Sequence, residues 1–284
     1  MAIIDGKELS ITLKNHMKED VLYYRRVYNR LPKLTVILVG NDAGSKSYVK
    51  GKEKASLEIG ILNETIFLSE DIKEEELLSL IDKLNLDESV DGILVQLPLP
   101  KHIDKARVLE RIRFDKDVDG FHPQNVASLW QKKSCIVPCT PKGIITLLKS
   151  ANIQIAGKNA VIMGRSEIVG LPTAKLLLDS DASVTIVHSK TENIKEITSK
   201  ADILIVAIGK PHYVTGDFVK EGAVVIDVGV NRDPLTNKLC GDCDFDSCAK
   251  KASYITKVPG GVGPMTICCL LQNTLEAYLN HMEG

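Results

Sequence analysis

The sequence predicts an α/β protein of two domains, in which parallel β-strands alternate with helices. Short apolar, β-branched segments alternate with helical stretches along most of the 284 residues, as expected for parallel strands that are covered on both faces. In the middle of the chain, an apolar strand breaks into a turn of small residues and restarts as a helix, the arrangement of a dinucleotide-binding unit. We therefore expect a Rossmann-type parallel sheet that is preceded by another α/β domain.

The strands are predicted where the short apolar runs occur, at 34–39, 64–68, 92–97, 160–163, 183–187, 203–207 and 224–228. Helical stretches lie between them and include 45–57, 74–84, 142–149 and 171–178. Near the end of the chain, a loop rich in glycine and proline, 258–266, precedes a closing helix. Pro138 and Pro141 interrupt the pattern just before helix 142–149, so we place the boundary between the domains there.

Composition and charge favour a compact protein that acts on small molecules. The chain has 36 Lys and Arg against 37 Asp and Glu, a net charge of -1, which argues against a nucleic-acid or anionic-membrane surface. The N-terminus reaches charged residues too soon for a signal peptide, and no apolar run approaches the ~20 residues of a membrane span. We expect a cytoplasmic protein.

The seven cysteines are an odd number without a secretory signal, which indicates reduced thiols. Cys240, Cys243 and Cys248 form the only cluster that resembles a metal site, but a fourth ligand at zinc-ribbon spacing is missing. Cys268 and Cys269 lie in an apolar, helix-like stretch that is typical of a core. We therefore predict no metal.

The turn after strand 160–163 has the residue types that a dinucleotide pyrophosphate needs. Gly164 allows a tight exit from the strand, Ser166 lets the backbone approach a phosphate, and Gly170 allows close packing of the helix. The segment departs from G-x-G-x-x-G because Ser166 replaces the middle glycine and the last glycine comes one residue late. An ordinary strand-to-helix turn is the alternative.

The end of the next strand predicts which cofactor binds. His188, Ser189 and Lys190 follow strand 183–187 where an NAD-specific fold places an acidic residue for the ribose 2′-hydroxyl. Arg165 in the turn, with Ser189 and Lys190, could instead pair with a 2′-phosphate. The sequence thus favours NADP over NAD, although each basic residue taken alone is typical of solvated surface.

The first domain contains the side chains that could take part in catalysis. Helix 45–57 puts Tyr48 and Lys52 one turn apart on one face. Gln96 is polar in an otherwise apolar strand and needs a partner if it is buried, for which Lys52 is the natural candidate. The Tyr-x-x-x-Lys pair of short-chain dehydrogenases follows the nucleotide turn, whereas this pair precedes it, so that assignment fails. By spacing alone, a surface pair would be favoured.

Two further segments are less specific on their own. Asp117 and Asp119 precede Gly120, which by itself is ordinary turn chemistry. The three glycines and two prolines of loop 258–266 suit a backbone that comes close to a ligand.

Taken together, six motifs in this order resemble the bifunctional methylenetetrahydrofolate dehydrogenase/methenyltetrahydrofolate cyclohydrolase family over essentially the whole chain. The motifs are Tyr48-Val-Lys-Gly-Lys52, Asp91-Gly-Ile-Leu-Val-Gln-Leu-Pro-Leu-Pro100, Lys116-Asp-Val-Asp-Gly-Phe-His-Pro123, Pro138-Cys-Thr-Pro-Lys-Gly143, Gly164-Arg-Ser-Glu-Ile-Val-Gly170 and Pro259-Gly-Gly-Val-Gly-Pro-Met-Thr266. The resemblance implies NADP-dependent oxidation of 5,10-methylene-tetrahydrofolate to the methenyl form and hydrolysis of that form to 10-formyl-tetrahydrofolate, in one-carbon metabolism. It also implies a folate-binding domain of residues 1–139 and 265–284, an NADP domain of residues 140–264, and a homodimer.

The resemblance also assigns roles to residues. Lys52 would be the general acid/base of the hydrolysis, Gln96 would hold it, Tyr48 would orient the folate, and Asp119 rather than Asp117 would bind the pterin. Further substrate contacts are implied at Leu97, Pro98, Gly260, Gly261 and Pro264. The implied cofactor contacts are Gly164, Arg165, Ser166, Val169, Gly170, His188, Ser189, Gly209, Gly229 and Val230.

Two alternatives remain. One is a dehydrogenase of the same fold without the hydrolase step, and the other is a non-catalytic NADP-sensing module. A lysine held by a partner in the substrate site speaks against both, because neither needs one.

Overall fold

A computed structural model of the chain describes residues 1–283. The chain divides into two compact units, which we name by their main sheets. The six-stranded unit contains Met1–Ile11 and Thr140–Thr266, and the three-stranded unit contains Thr12–Cys139 and the residues from Ile267 onward. Within the described residues, no helix is both long and apolar enough to span a bilayer.

The elements are numbered in chain order. The strands are β1 (Ala2–Ile4), β2 (Lys33–Val39), β3 (Leu62–Leu68), β4 (Gly92–Val95), β5 (Asn159–Met163), β6 (Ser183–Val187), β7 (Ile203–Val206), β8 (Val224–Asp227), β9 (Asn231–Arg232), β10 (Leu239–Cys240) and β11 (Tyr254–Thr256). The helices are α1 (Gly6–Tyr28), α2 (Ala43–Ile59), α3 (Glu74–Leu86), α4 (Lys105–Arg111), α5 (Pro123–Trp130), α6 (Cys139–Ser150), α7 (Gly170–Asp179), α8 (Ile194–Thr198), α9 (Phe245–Ala249) and α10 (Val262–Glu283), with a 3₁₀ turn at Gly216–Phe218.

The three-stranded unit has a parallel sheet in the order β3-β2-β4. Strand β2 is central and almost wholly buried, which explains its continuous apolar sequence. The C-terminal helix α10 closes this unit: Tyr278 Oη donates to Arg30 O at 2.9 Å, and Asn273 Nδ2 donates to Val118 O and Val137 O, both at 2.9 Å. The return of the C-terminal helix to the first domain, which the family resemblance implied, is confirmed.

The six-stranded unit has a parallel sheet in the order β1-β11-β8-β7-β5-β6. Strand β1 pairs with β11 in the register Ala2↔Tyr254 to Ile4↔Thr256, so the first residues of the chain extend this sheet. The sequence-based division had put them in the folate domain. The pairing of residues 2–4 was not expected from the sequence, because a three-residue strand is too short to show where its partner lies.

The two-domain α/β fold is confirmed, and all seven predicted strands are present with ends that differ by at most two residues. Strand β4 ends at Val95 instead of residue 97, and the Leu97–Pro98 peptide that follows is cis. The predicted helices are also present, but helix α1, with 23 residues, was not predicted. Its sequence is mostly polar, so the few apolar residues that it buries along one face, such as Met17 and Val21, did not stand out as an apolar run.

Candidate active site

In the three-stranded unit, chemically active side chains collect where β2 and β4 end. Strand β2 has β3 on one side and β4 on the other, and such a reversal of strand order leaves a crevice at the carboxyl ends. Gln96 is the residue directly after β4, and α2 begins shortly after β2. The topology therefore brings together residues that are distant in sequence.

The start of helix α2 is determined by local chemistry. Gly40 leaves β2 with φ of 84°, a conformation that favours glycine, and Asp42 caps the helix by accepting a 2.7 Å hydrogen bond from Ser45 N. From this start, Tyr48 and Lys52 follow one turn apart. Lys52 is only 7% exposed, which is rare for a lysine without a charged partner.

Lys52 has the partner that the sequence predicted. Its Nζ donates a 2.9 Å hydrogen bond to Gln96 Oε1, and Gln96 Nε2 donates to Leu97 O at 2.7 Å. The amide is thereby oriented with its oxygen towards the lysine. The predicted contact is confirmed, while the catalytic role of Lys52 stays a prediction.

Tyr48 lies on the same helix with 39% of its surface exposed. Burial of the remainder raises the pKa of its phenol. A neutral ring with one free face is suited to stacking against a flat ligand. Next to this site, Leu97 is half-buried and Pro98 is exposed.

Asp117 and Asp119 have different surroundings. Asp117 is 1% exposed, and its Oδ2 accepts from His122 N at 2.7 Å and from Asn125 Nδ2 at 3.0 Å. Burial raises the pKa of Asp117 to about 6. Asp119 is only half-buried; burial raises the pKa of its carboxyl, and the positive charge of Lys52 opposes that rise. Asp117 thus holds the turn together, whereas Asp119 is electrostatically coupled to Lys52.

The six-stranded unit contains a cavity of about 310 Å³ at the carboxyl ends of β5, β6 and β7. Strand β5 has β6 on one side and β7 on the other, so this cavity lies at the reversal of strand order, where doubly wound sheets bind nucleotides. It is lined by Met163, Gly164, Arg165, Ser166, Val187, His188, Ser189, Ile194, Ala207, Ile208, Lys210 and Tyr213.

The two glycines of the turn are sterically required. A Cβ on Gly164, which has φ of 122°, would lie 2.2 Å from Ala207 O, and a Cβ on Gly170 would lie 2.4 Å from Gly164 O. Ser166 Oγ accepts from Gly170 N at 3.3 Å and links the turn to the start of α7, where Val169 is the N-cap residue. Backbone can therefore approach a phosphate closely here, which fits a dinucleotide.

The cavity brings together five of the predicted cofactor residues, Gly164, Arg165, Ser166, His188 and Ser189. The cavity lining does not include Lys190. Its backbone N–H instead donates to His188 Nδ1 at 3.2 Å in the turn after β6. The hypothesis that Lys190 contacts the 2′-phosphate therefore has no support from this geometry.

The sequence did not point to Lys210 and Tyr213, which also line this cavity. They follow β7, the third strand of the nucleotide-binding half, so the carboxyl end of that strand was the available signal. Gly209, which was predicted, lies between the lining residues Ile208 and Lys210.

Asp242 shapes this loop and was missed as well. It is 0% exposed, and its carboxylate accepts from the backbone N–H of Ile208, Gly209 and Lys210 at 2.7, 3.0 and 2.8 Å. Its Oδ1 also accepts from Asn231 Nδ2 at 2.8 Å, so one side chain holds the segments after β7 and β8.

A second buried carboxylate, Asp227, supports Asp242. Its Oδ1 accepts from Asp242 N and Gly229 N, both at 3.0 Å. A Cβ on Gly229 would lie 2.3 Å from the Asp242 carboxyl carbon, so the predicted residue Gly229 makes room for this pair. Val230, the next residue, is exposed.

The remaining predicted residues, Gly260, Gly261 and Pro264, lie just before and in the first turn of α10 and belong to the six-stranded unit. Gly260 has φ of 112° and open space where a Cβ would lie. Gly261 is tightly packed, since a Cβ there would lie 2.7 Å from Lys257 O. Pro264 lies in the first turn of α10, where proline is well tolerated.

Comparison with known proteins agrees with this geometry. Residues 4–119 match the family model of the tetrahydrofolate dehydrogenase/cyclohydrolase catalytic domain, and residues 138–282 match that of its NAD(P)-binding domain. The bifunctional protein FolD of Bacillus anthracis is 54% identical over 275 residues, which cover 97% of this chain and 96% of that protein.

Solved structures give the same result. The bifunctional FolD methylenetetrahydrofolate dehydrogenase/cyclohydrolase from Campylobacter jejuni is 49% identical, with a TM-score of 0.96 and 99% of each chain covered. The Trypanosoma brucei enzyme, solved with an NADP cofactor and an inhibitor, is 39% identical with a TM-score of 0.96, covering 100% of this chain and 99% of that one.

Proposed function

This chain belongs to the tetrahydrofolate dehydrogenase/cyclohydrolase family, and we propose how its residues divide the two activities of that family. The protein is a methylene-tetrahydrofolate dehydrogenase and a methenyl-tetrahydrofolate cyclohydrolase with an NAD(P)-binding domain. The observation that carries the proposal is the hydrogen bond between buried Lys52 and Gln96. It presents an amine where the carboxyl ends of β2 and β4 form a crevice.

We assign the proton transfers of the hydrolysis to Lys52. Water adds to the carbon between N5 and N10 of the methenyl compound, and the neutral amine of Lys52 takes the proton that the water loses. The bond from this carbon to N5 then breaks as the ammonium gives its proton to N5, and the hydroxyl on the carbon loses its remaining proton to solvent, which leaves the formyl group on N10. One group can thus serve as base and then as acid.

Gln96 suits this task because an amide oxygen accepts a hydrogen bond from the amine and from the ammonium alike. A carboxylate in its place would favour the charged form and hinder proton uptake. Tyr48 offers its ring to orient the folate. Leu97 and Pro98, next in the chain, would border the same ligand.

Asp119 is assigned to the pterin. A carboxylate can accept two parallel hydrogen bonds from a ring N–H and an exocyclic amine, as it does from a guanidinium. Asp119 is coupled to the charge of Lys52, whereas the Asp117 carboxylate is already occupied by His122 N and Asn125 Nδ2.

For the oxidation, we propose that NADP is preferred over NAD. The bound cofactor would supply the acceptor for the hydride of the methylene carbon, and the protein would have to provide alignment but no acid or base. Arg165 and Ser189 both line the cavity of the six-stranded unit, and none of the three residues directly after β6, His188 to Lys190, is acidic and able to repel a 2′-phosphate. The NADP complex of the Trypanosoma brucei relative supports this choice.

One assay on the purified protein tests the division of roles. Methylene-tetrahydrofolate is supplied with NADP or with NAD, while NADPH or NADH fluorescence and methenyl absorbance are followed together. We expect faster oxidation with NADP, followed by decay of the methenyl signal. A clear preference for NAD, or a methenyl product that does not decay faster than in buffer, would contradict the proposal. Light scattering on the same sample tests the expected homodimer.

A further inference from the structure

Three potential metal ligands meet in a part of the six-stranded unit to which no role has been given above. His212, Asp233 and Cys240 each have one ligand atom within 4.8 Å of the ligand atoms of the other two. His212 Nε2 lies 2.9 Å from Asp233 Oδ2. These residues supply a nitrogen, an oxygen and a sulfur donor.

Backbone hydrogen bonds hold the three ligands in place. His212 N donates to Gly241 O at 3.2 Å, so the segment after β7 runs beside the end of β10. Strand β10 pairs with β9 in the register Cys240↔Asn231, and Asp233 follows β9 directly. The arrangement therefore depends on the main chain and is present before any ligand binds.

The Asp233 carboxylate is oriented by its own turn. Its Oδ1 accepts from Leu235 N at 2.8 Å and from Thr236 N at 2.7 Å, which leaves Oδ2 facing His212. Metal ligands typically have such supporting hydrogen bonds.

The electrostatic environment of Cys240 favours a cation. The residue is 7% exposed. The carboxylates of Asp233, Asp227 and Asp242 surround its thiol with negative charge. A divalent cation bound to the sulfur would offset that charge.

The other two cysteines of the sequence cluster have a different environment. Cys248 is 0% exposed and its Sγ donates to Val214 O at 3.2 Å, and Cys243 packs in the same apolar core. The structure thus separates Cys240 from Cys243 and Cys248, and gives it His212 and Asp233 instead.

We propose that His212, Asp233 and Cys240 form a site for a thiophilic divalent cation, zinc. On binding, the thiol loses its proton to solvent, and Nε2 of His212 exchanges its hydrogen bond with Asp233 for a bond to the metal, with the ring proton on Nδ1. Three protein ligands leave a fourth tetrahedral position for water. A thiolate and an imidazole disfavour Mg²⁺ and Ca²⁺, which prefer oxygen ligands.

The site has a direct structural consequence for its neighbours. Tyr213 follows His212, and Lys210 precedes it by two residues; both line the cavity at the ends of β5, β6 and β7. A bound ion would cross-link segment 208–213, through His212, to the β9–β10 hairpin, through Asp233 and Cys240.

The test uses the full-length, tag-free protein, stripped of metal with a chelator and titrated calorimetrically with zinc chloride. We expect one zinc per chain and no binding of Mg²⁺. Titration with Co²⁺ should produce the absorption of a cobalt–thiolate bond. Cys240→Ser should remove this absorption, and His212→Gln should weaken zinc binding by more than about tenfold. Cys135→Ser changes a half-buried cysteine outside the proposed site and should behave like the wild type.

His212 is 45% exposed in its side chain, so His212→Gln keeps the test decisive even if Cys240→Ser fails to fold. The proposal is wrong if the wild-type protein binds no stoichiometric zinc. In that case the hydrogen bond between His212 and Asp233 only connects the segment after β7 to the β9–β10 hairpin. It is equally wrong if His212→Gln binds zinc as tightly as the wild type.

Discussion

Lys52 Nζ and Gln96 Oε1 are joined by a 2.9 Å hydrogen bond across 44 residues of sequence. The two groups come from α2 and from the end of β4, which are brought together because β2 and β4 pair in parallel. A half-buried amide at the end of a strand needs a partner, and a buried lysine needs an acceptor, so each satisfies the other. The pair is the structural basis of the proposed proton transfer.

Lys52→Met removes the amine while it keeps the length and the apolar contacts of the side chain. We expect hydrolysis of methenyl-tetrahydrofolate to fall by about 10²–10⁴, the usual contribution of a general acid/base. NADP binding and the melting temperature should change little. Lys50→Met, on an exposed position of the same helix, is the matched control. Hydrolysis at the wild-type rate in Lys52→Met would refute the assignment.

The Lys52–Gln96 contact could be predicted because both signals are local: a one-turn spacing on a helix, and a polar residue in an apolar strand. Asp242 could not be predicted in this way. Its carboxylate holds the backbone of Ile208, 34 residues away, and nothing in its own neighbourhood indicates that contact. A sequence does not show which side chain will accept a hydrogen bond from a given backbone N–H, because nearly every residue has the same N–H group.

Most of the strands followed from sequence for a related reason: β2, β4, β5, β7 and β8 are buried along nearly their whole length, which leaves short apolar runs. Strand β1 lacks that signal, since only Ile4 of its three residues is buried. The separate roles of Asp117 and Asp119 also needed the structure. Residues two apart in a strand share a face, but these two lie in a turn in which Gly120 N donates to Asp117 O at 3.1 Å, so their side chains have different surroundings.

Arg165→Ala should affect the two nicotinamide cofactors unequally. Only NADP has a 2′-phosphate that can lose a charge-assisted partner, so we expect its KM to rise about tenfold and that of NAD to change much less. Lys200→Ala serves as the control, because this surface lysine pairs with Glu196 and is not part of the cavity lining. Equal increases for both cofactors would show that Arg165 does not distinguish them.

Asp242→Asn should raise the KM of NADP and NAD alike. The asparagine replaces one carboxylate oxygen by an N–H donor, which cannot accept from the loop amides of Ile208, Gly209 or Lys210. Methenyl hydrolysis, which uses no nicotinamide cofactor, should be unaffected. Hydrogen exchange of the 208–210 amides should also accelerate. Unchanged exchange, or an effect restricted to NADP, would mean that Asp242 does not position this loop.

Asp227 predicts a pH dependence of stability. Its pKa is raised to about 6 in the folded protein, mainly by burial, from 3.8. Between these values the folded state keeps a proton that the unfolded chain releases, so the stabilisation present below pH ~4 is lost as the pH rises through about 6. The loss is at most about 3 kcal/mol, since each pKa unit corresponds to about 1.4 kcal/mol.

Calorimetric melting of the wild type and of Asp227→Asn between pH ~4 and pH ~7 tests whether Asp227 makes stability depend on pH. The variant cannot ionise at this position, so the wild-type melting temperature minus that of the variant should fall as the pH rises from ~4 to ~7. Asp117, with its similar pKa, is present in both proteins and cancels in the difference. A difference that is constant or increases with pH would contradict the assignment.

Asp119→Ala and Asp117→Ala should impair different properties: the first should weaken folate binding, and the second should lower stability. Loss of Asp119 should weaken folate binding by ~1.5–3 kcal/mol, the range for hydrogen bonds to a charged group, and leave NADP affinity and melting unchanged. Loss of Asp117 leaves His122 N and Asn125 Nδ2 without their acceptor in a buried turn, so it should lower the melting temperature and affect folate binding far less. Titration calorimetry and thermal melting of both variants decide between the two carboxylates. A larger loss of folate affinity from Asp117→Ala, at a temperature where that variant is folded, would transfer the pterin contact to Asp117.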